Sequence, residues 1–159
     1  MARHRITASR LIQAPAQQIY SLIADYQHGH PQILPKPYFV SLAVEKGGVG
    51  AGTVINFQMR LMGRLQSFHS EISEPEPGRV LVETDLISGA ITTFAVEPQE
   101  SGQSAYVTIT TDVKVRDGIL GSVEGWLATR LLRPVYVKEL EQIAAVAGGR
   151  AVAQRDWPR

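Results

Sequence analysis

The sequence predicts an α+β fold in which a curved antiparallel sheet is wrapped round one long, kinked C-terminal helix. Two observations predict it. Between Tyr38 and Val113, short stretches of apolar and polar residues alternate and are separated by clusters of glycine and proline. From Gly118 to Gly148 the period changes to that of a helix, with Leu120, Val123, Leu127 and Leu131 on one face. An apolar face must be buried, and the strands before it are the natural concave partner. A sheet curled round a helix tends to leave a cavity, and a cavity points to a small ligand.

The elements follow in order. Residues Arg5 to Ile12 suit a first strand. "APAQQIYSLIADY" then offers a proline fitted to an early helical position, with Ile19, Leu22, Ile23 and Tyr26 on one face, so a short amphipathic helix is expected. "QHGHPQILPKPY" has three prolines and a glycine and reads as a loop with a brief turn of helix near Gln32 to Leu34. In the next strand Val40, Leu42 and Val44 alternate with Ser41, Ala43 and Glu45, and "GGVGAGT" turns the chain. Ile55, Phe57, Met59 and Leu61 then oppose Asn56, Gln58 and Arg60, the pattern of a sheet wet on one face. Further strands are expected at Arg64 to Ser73, Arg79 to Thr84, Ala90 to Glu97 and Ala105 to Val113. Pro134 lacks an amide donor and crowds the carbonyl of Arg130, at about 3 kcal/mol in a helix interior, which implies the kink. Beyond it the apolar row becomes Leu132, Tyr136, Leu140, Ile143 and Ala147.

Composition narrows function. The chain has 159 residues, 44% hydrophobic and 19% charged, and no apolar run approaches the roughly 20 residues of a membrane span. "MARHRITASRLIQ" begins basic without the apolar block of a signal peptide, so a cytoplasmic protein is expected. The absence of cysteine excludes disulfides, thiolate zinc sites, cysteine-ligated iron-sulfur clusters and a thiol nucleophile within this sequence. A formal charge of +1 with dispersed arginines argues against nucleic acid as a partner. No cofactor is implied: the "GGVGAGT" glycines precede a strand and do not form a phosphate loop.

The "APAQQIYSLIADY" helix after the first strand, the "GGVGAGT" hairpin, "SEPEPGRVLVET", "TTFAVEP" and the terminal helix, in this order, resemble the START-like polyketide cyclase/dehydrase and lipid-transport superfamily. The resemblance spans roughly residues 4 to 147. It implies a helix-grip fold, with seven antiparallel strands round the C-terminal helix and two short helices after the first strand, and a cavity for apolar or amphipathic molecules. On that basis residues 1–148 form one domain and 149–159 a flexible tail. Where many members have a tryptophan in the loop after the first helix, this chain has "HGHPQILPKPY". The resemblance implies an architecture and no particular reaction.

Candidate ligand contacts are Phe57, Met59, Phe68, Phe94, Val123, Leu127 and Leu131 on inward faces, with Tyr26, His28 and His30 at the cavity mouth. The same apolar residues also describe a filled core. Asp25, His28 and His30 have donor types suited to a metal, but a glycine-spaced histidine pair in such a loop is commonly a solvated turn, and no metal site is assigned. His69 and Glu71 share a strand face, yet Phe68 and Ile72 fit the interior better, which puts the polar pair toward water. Glu124 lies beside Leu120 and Leu131 at the edge of the expected inward face. Buried there, it would need a cation or a raised pKa, and it is a better candidate for proton transfer than the acid/base dyad that His69 and Glu71 could form. Arg130 and Arg133 could hold a ligand carboxylate or lie along a solvated face. No catalytic set emerges. Three readings result: a carrier of a lipid-like, polyketide-like or other amphipathic molecule; a cyclase or dehydratase using polar groups in the cavity; and a protein-partner module with a filled interior. Inward histidine or carboxylate favours the second, a wholly apolar wall the first, an exposed apolar patch the third.

Overall fold

The computed structural model describes residues 1–99 and 101–149. Residues 150–159, most of the expected tail, lie outside the described part. The elements run β1 (Ala2–Ile12), α1 (Ala16–Ala24), α2 (His30–Ile33), β2 (Phe39–Lys46), β3 (Val54–Leu61), β4 (Arg64–Glu76), β5 (Val80–Asp85), β6 (Ile91–Pro98), β7 (Ala105–Val115) and α3 (Gly118–Ala147). The strands form one seven-stranded sheet in the order β1-β7-β6-β5-β4-β3-β2, every neighbouring pair antiparallel. β2 to β7 form a meander, and β1 joins it beside β7. This is the expected helix-grip arrangement, with strand ends shifted by up to three residues.

Alternation sets the two sheet faces. Ile55, Met59 and Leu61 are buried, with Phe57 half-buried between them, while Asn56 and Arg60 face out. Leu81, Phe94, Val96, Val107 and Ile109 continue the inner face. One expectation fails in β2, where Val40 is exposed and Phe39 is buried. The register shifts between Phe39 and Ser41, and the extra residue of that irregularity turns Phe39 inward. The "GGVGAGT" turn folds back on the end of α1. The Gly50 amide donates to the Ala24 carbonyl at 2.9 Å with φ of +66°, a left-handed conformation that favours glycine.

The largest correction concerns the first half of α3. Val123 is 56% and Leu127 43% exposed, and Ile119, Leu120 and Trp126 also face solvent. The buried residues there are Gly121 and Gly125. A Cβ at Gly121 would stand 1.6 Å from the Arg116 carbonyl oxygen, and one at Gly125 2.5 Å from Nδ1 of His4 on β1. The helix therefore seats on β1 through Gly125 and on the β7–α3 connection through Gly121, and the apolar row turns away. Leu131 is half-buried, and Arg130 and Arg133 are exposed, Arg130 lying 5.2 Å over the Trp126 ring. Beyond Pro134 the expected row holds, with Val135, Tyr136, Leu140, Ile143 and Ala147 buried. α3 remains one helix through the proline.

This seat is open to a direct test. Gly125→Ala should lower stability by about 1–3 kcal/mol through overpacking against His4, and Gly121→Ala by at least as much, because a backbone carbonyl yields less than a side chain. Val123→Ala should stay within about 0.5 kcal/mol of the parent. Chemical denaturation of the three variants checks this ranking.

Candidate functional site

Between the concave face and the second half of α3 lies a cavity of about 50 Å³. Its walls are His30 and Leu34 from the α2 region, Phe39 and Leu42 of β2, Ile55, Phe57 and Met59 of β3, Glu83 of β5, Thr92 and Phe94 of β6, and Tyr136 and Glu139 of α3. Each strand contributes alternate residues, so the cavity is a product of the pleat. The wall is apolar and aromatic apart from one cluster of polar groups.

Glu83 is the first member of that cluster. It shares the Leu81 face of β5, and only 11% of its side chain is exposed. The Tyr26 hydroxyl donates to its Oε1 at 2.6 Å. Burial pushes its carboxyl up to about 7, against the lowering effect of that hydrogen bond. His30 Nε2 lies 3.6 Å from the same oxygen, too far for a hydrogen bond. His30 Nδ1 is 2.7 Å from the carbonyl of Ile23. A carbonyl only accepts, so Nδ1 carries the proton and Nε2 offers its lone pair toward Glu83. Burial lowers the imidazole to about 4, so His30 is neutral near pH 7. Tyr26 stacks on His30 at 4.3 Å, and Phe94 meets the imidazole edge-on at 5.7 Å.

Glu139 faces this group from α3 and is 2% exposed. It makes no hydrogen bond or ion pair with any described residue. Burial, reinforced by Glu83, raises its carboxyl well above the ordinary range, so the neutral form is favoured. One turn earlier the Tyr136 hydroxyl is 2.6 Å from Thr111 Oγ1, which is 2.8 Å from Thr92 Oγ1, a chain of hydroxyls along the wall. The cluster can donate protons from two carboxyls and accept one at an imidazole.

The structure sorts the sequence candidates. Phe57, Met59, Phe94 and His30 line the cavity. Tyr26 is buried behind it and holds Glu83, and Phe68 stacks on Phe57 at 4.8 Å, supporting the wall from outside. His28 points away, with 81% of its side chain exposed, so it does not join His30 at the mouth, and Asp25, His28 and His30 do not converge. Val123, Leu127 and Leu131 are not in the wall, because the glycine seat turns their part of α3 outward. Glu124 is not buried in the interior: it accepts from the Arg116 amide at 2.9 Å and pairs with the Arg116 guanidinium, and these interactions hold its carboxyl below the ordinary value. His69 and Glu71 stay on the outer side as expected, His69 bonded to Glu45 at 2.8 Å.

Sequence reading missed Glu83, Glu139 and Tyr136 as site residues. The signals were present. Glu83 has the parity of Leu81, and Glu139 follows Val135 and Tyr136 by one helical turn and precedes Leu140 and Ile143.

Residues 3–148 match the family described as polyketide cyclase / dehydrase and lipid transport. The chain belongs to this family. A search of the curated proteins finds no match. Among solved structures the chain is similar to the KanY protein, with 24% identity, a TM-score of 0.80, and 94% of this chain and 100% of that one covered. It is also similar to the Zhui aromatase/cyclase from Streptomyces sp. R1128, at 17% identity and TM-score 0.76, covering 96% and 98%. A START superfamily protein from Mycobacterium smegmatis follows at 14% identity and TM-score 0.72, covering 92% and 98%. At these identities the likeness establishes the fold, which for this family member is a ligand-binding one. No helix among the described residues is long and apolar enough to cross a membrane.

The buried acids set the pH response. Glu83 and Glu139 bind protons more tightly folded than unfolded, so their contribution to stability is complete below the unfolded carboxyl range near 4.5 and, for Glu83, is lost as pH rises through about 7. His30 acts oppositely: its contribution is complete above 6.5 and is lost as pH falls through about 4. Thermal denaturation should therefore show lower stability at about pH 8.5 than at about pH 5.5. Glu83→Gln should remove on the order of 2 kcal/mol of that alkaline loss. Tyr26→Phe deletes the bond that favours the Glu83 carboxylate, and NMR titration should place the Glu83 midpoint higher than in the parent.

Proposed function

We propose that the protein binds a small amphipathic molecule in this cavity, its apolar part against Phe57, Met59 and Phe94 and its polar end toward Glu83 and Glu139. The observation that carries this reading is the pair of enclosed carboxyls in a cavity otherwise apolar and aromatic. Two such groups are unfavourable in a wall that only packs, and they suit one that meets a polar atom. The volume is well below the several hundred Å³ common for drug-sized ligands, so the closed form suits a compact ligand, and a longer chain requires a wall to move.

A second reading, the cyclase or dehydratase, is the one that inward-facing His30, Glu83 and Glu139 favour: burial raises Glu83 to about 7, so a substantial share of it is protonated near neutral pH, and His30 is neutral there. A protonated carboxyl can give its proton to a β-hydroxyl group, which leaves as water, while the free Nε2 of His30 takes the proton on the adjacent carbon and the carbon–carbon double bond forms. The wall supplies both the donor and the acceptor this step needs. The exposed stripe on α3, from Ile119 to Leu127, is the feature a partner-binding module would show; it lies outside the cavity and is compatible with either reading.

Native mass spectrometry of the purified protein against its denatured mass, with extraction of any adduct, tests the binding reading. A retained compact amphipathic molecule is expected, and Met59→Trp, which fills the cavity, should abolish retention while preserving the circular dichroism spectrum. An empty protein that also takes up no member of a panel of small apolar and amphipathic probes would count decisively against it. With a ligand in hand, Glu83→Gln separates the two readings: a carrier leaves the molecule chemically unchanged in both proteins, whereas an enzyme converts it only in the parent.

A further inference from the structure

Glu139 is the unexplained group of this cavity. The residue is 2% exposed and stands in the cavity wall, and no fully buried side-chain oxygen or nitrogen among the described residues lacks a hydrogen-bond partner, so the Glu139 carboxyl, which has no described side-chain partner, keeps an oxygen open to the cavity. A carboxyl that opens only onto a cavity is a place where an occupant supplies the partner. What can supply it is limited by the groups around it. Glu83 is a second acid, His30 presents an acceptor nitrogen, and the hydroxyls of Tyr26 and Tyr136 are already engaged with Glu83 and Thr111. Among the described residues neither glutamate is paired with a lysine or arginine. The polar cluster thus has no lysine or arginine partner among the described residues. The remaining wall includes the rings of Phe57, Phe94 and Tyr136, whose faces attract positive charge.

We infer that the polar end of the ligand is a protonated nitrogen, an alkylammonium or arylalkylammonium group on a short apolar body, seated between Glu139 and Glu83. The inference rests on the reading that this cavity binds a small molecule, and it names the class. An anionic end opposes ionisation of either acid. A neutral hydroxyl or carbonyl exchanges a hydrogen bond with one carboxyl and gives neither a counter-charge. An ammonium carries several donors, can serve both carboxyls, and supplies the counter-charge that lets Glu139 ionise in place. The balance is simple: the ammonium enters with its proton, Glu139 releases its own to solvent, and an ammonium–carboxylate pair remains. No covalent bond changes.

Isothermal titration of the full chain at about pH 7 with n-butylammonium chloride, n-butanol and sodium butyrate tests this, run in two buffers of different ionisation enthalpy. Butylammonium should bind at least about ten-fold more tightly than butanol, with butyrate weakest, and the buffer dependence should report release of about one proton per ligand. Glu139→Gln should lose both the preference and the proton release while retaining butanol binding. Glu83→Gln, which keeps Glu139, should show a reduced preference, and it provides the test if the first variant fails to fold. Equal or tighter binding of butanol, or a preference unchanged in the glutamine variants, overturns the ammonium class and leaves the cavity-binding reading standing. Binding of none of the three probes overturns both.

Discussion

The close seat of α3 on β1 is the constraint on which the rest of the structure depends. Gly125 removes the side chain that would separate the helix from the strand, and the His4 ring occupies the space gained, while Gly121 lets the first turn close on the Arg116 backbone of the β7–α3 connection. This contact fixes which side of the helix faces the sheet. The consequence runs along the helix axis: with Gly125 against β1, the positions two to five turns later that point the same way include Leu132, Tyr136, Glu139, Leu140 and Ile143. The cavity's helical wall is thus set by a packing contact at the other end of the helix. Gln18 and Gln142 secure the far end through the Ala147 and Gln32 carbonyls, at 2.8 and 3.2 Å.

Against that frame the site is held by groups that each have two tasks. Tyr26 terminates the first helical region, stacks on His30 and donates to Glu83. His30 uses one nitrogen to hold its own loop through Ile23 and leaves the other toward the cavity. Phe68 lies outside the lining, yet its stacking on Phe57 fixes a lining ring. The polar cluster is therefore positioned by α1, α2, β5 and α3 together, and a shift in any one changes the distances within it. Interiors packed at near-crystalline density transmit such shifts.

The fold was largely legible in the sequence because strand alternation is a strong signal and its boundaries are marked by glycine and proline. Ile55, Phe57 and Met59 required only parity. The first half of α3 was misread for a specific reason: apolarity locates a buried face when burial is driven by side chains, and here it is driven by their absence. A spacing of four between Gly121 and Gly125 was the visible clue, on the face opposite Val123. The carboxylate was misassigned by the same error. Glu124 was placed by a face that turned out exposed, where Arg116 neutralises it, whereas Glu139 sits among Tyr136, Leu140 and Ile143, whose burial was anticipated. Glu83 was passed over because a glutamate in a strand is ordinarily assigned to the wet face, even when, as here, its parity with Leu81 says otherwise.

The fold does not select the ligand. Proteins of the same fold share only 14–24% identity with this chain, and one frame serves many side-chain sets. The wall of this cavity carries two buried carboxyls. Burial favours their protonated forms, raising Glu83 to about 7 and Glu139 well above its ordinary range, and water would stabilise either in its charged form. Admitting solvent lowers the cost of ionisation, and ionisation in turn favours admitting solvent. Hydration of the cavity and protonation of its carboxyls are thus linked through the same desolvation, and an occupant that brings its own counter-charge shifts the carboxyls toward their ionised form.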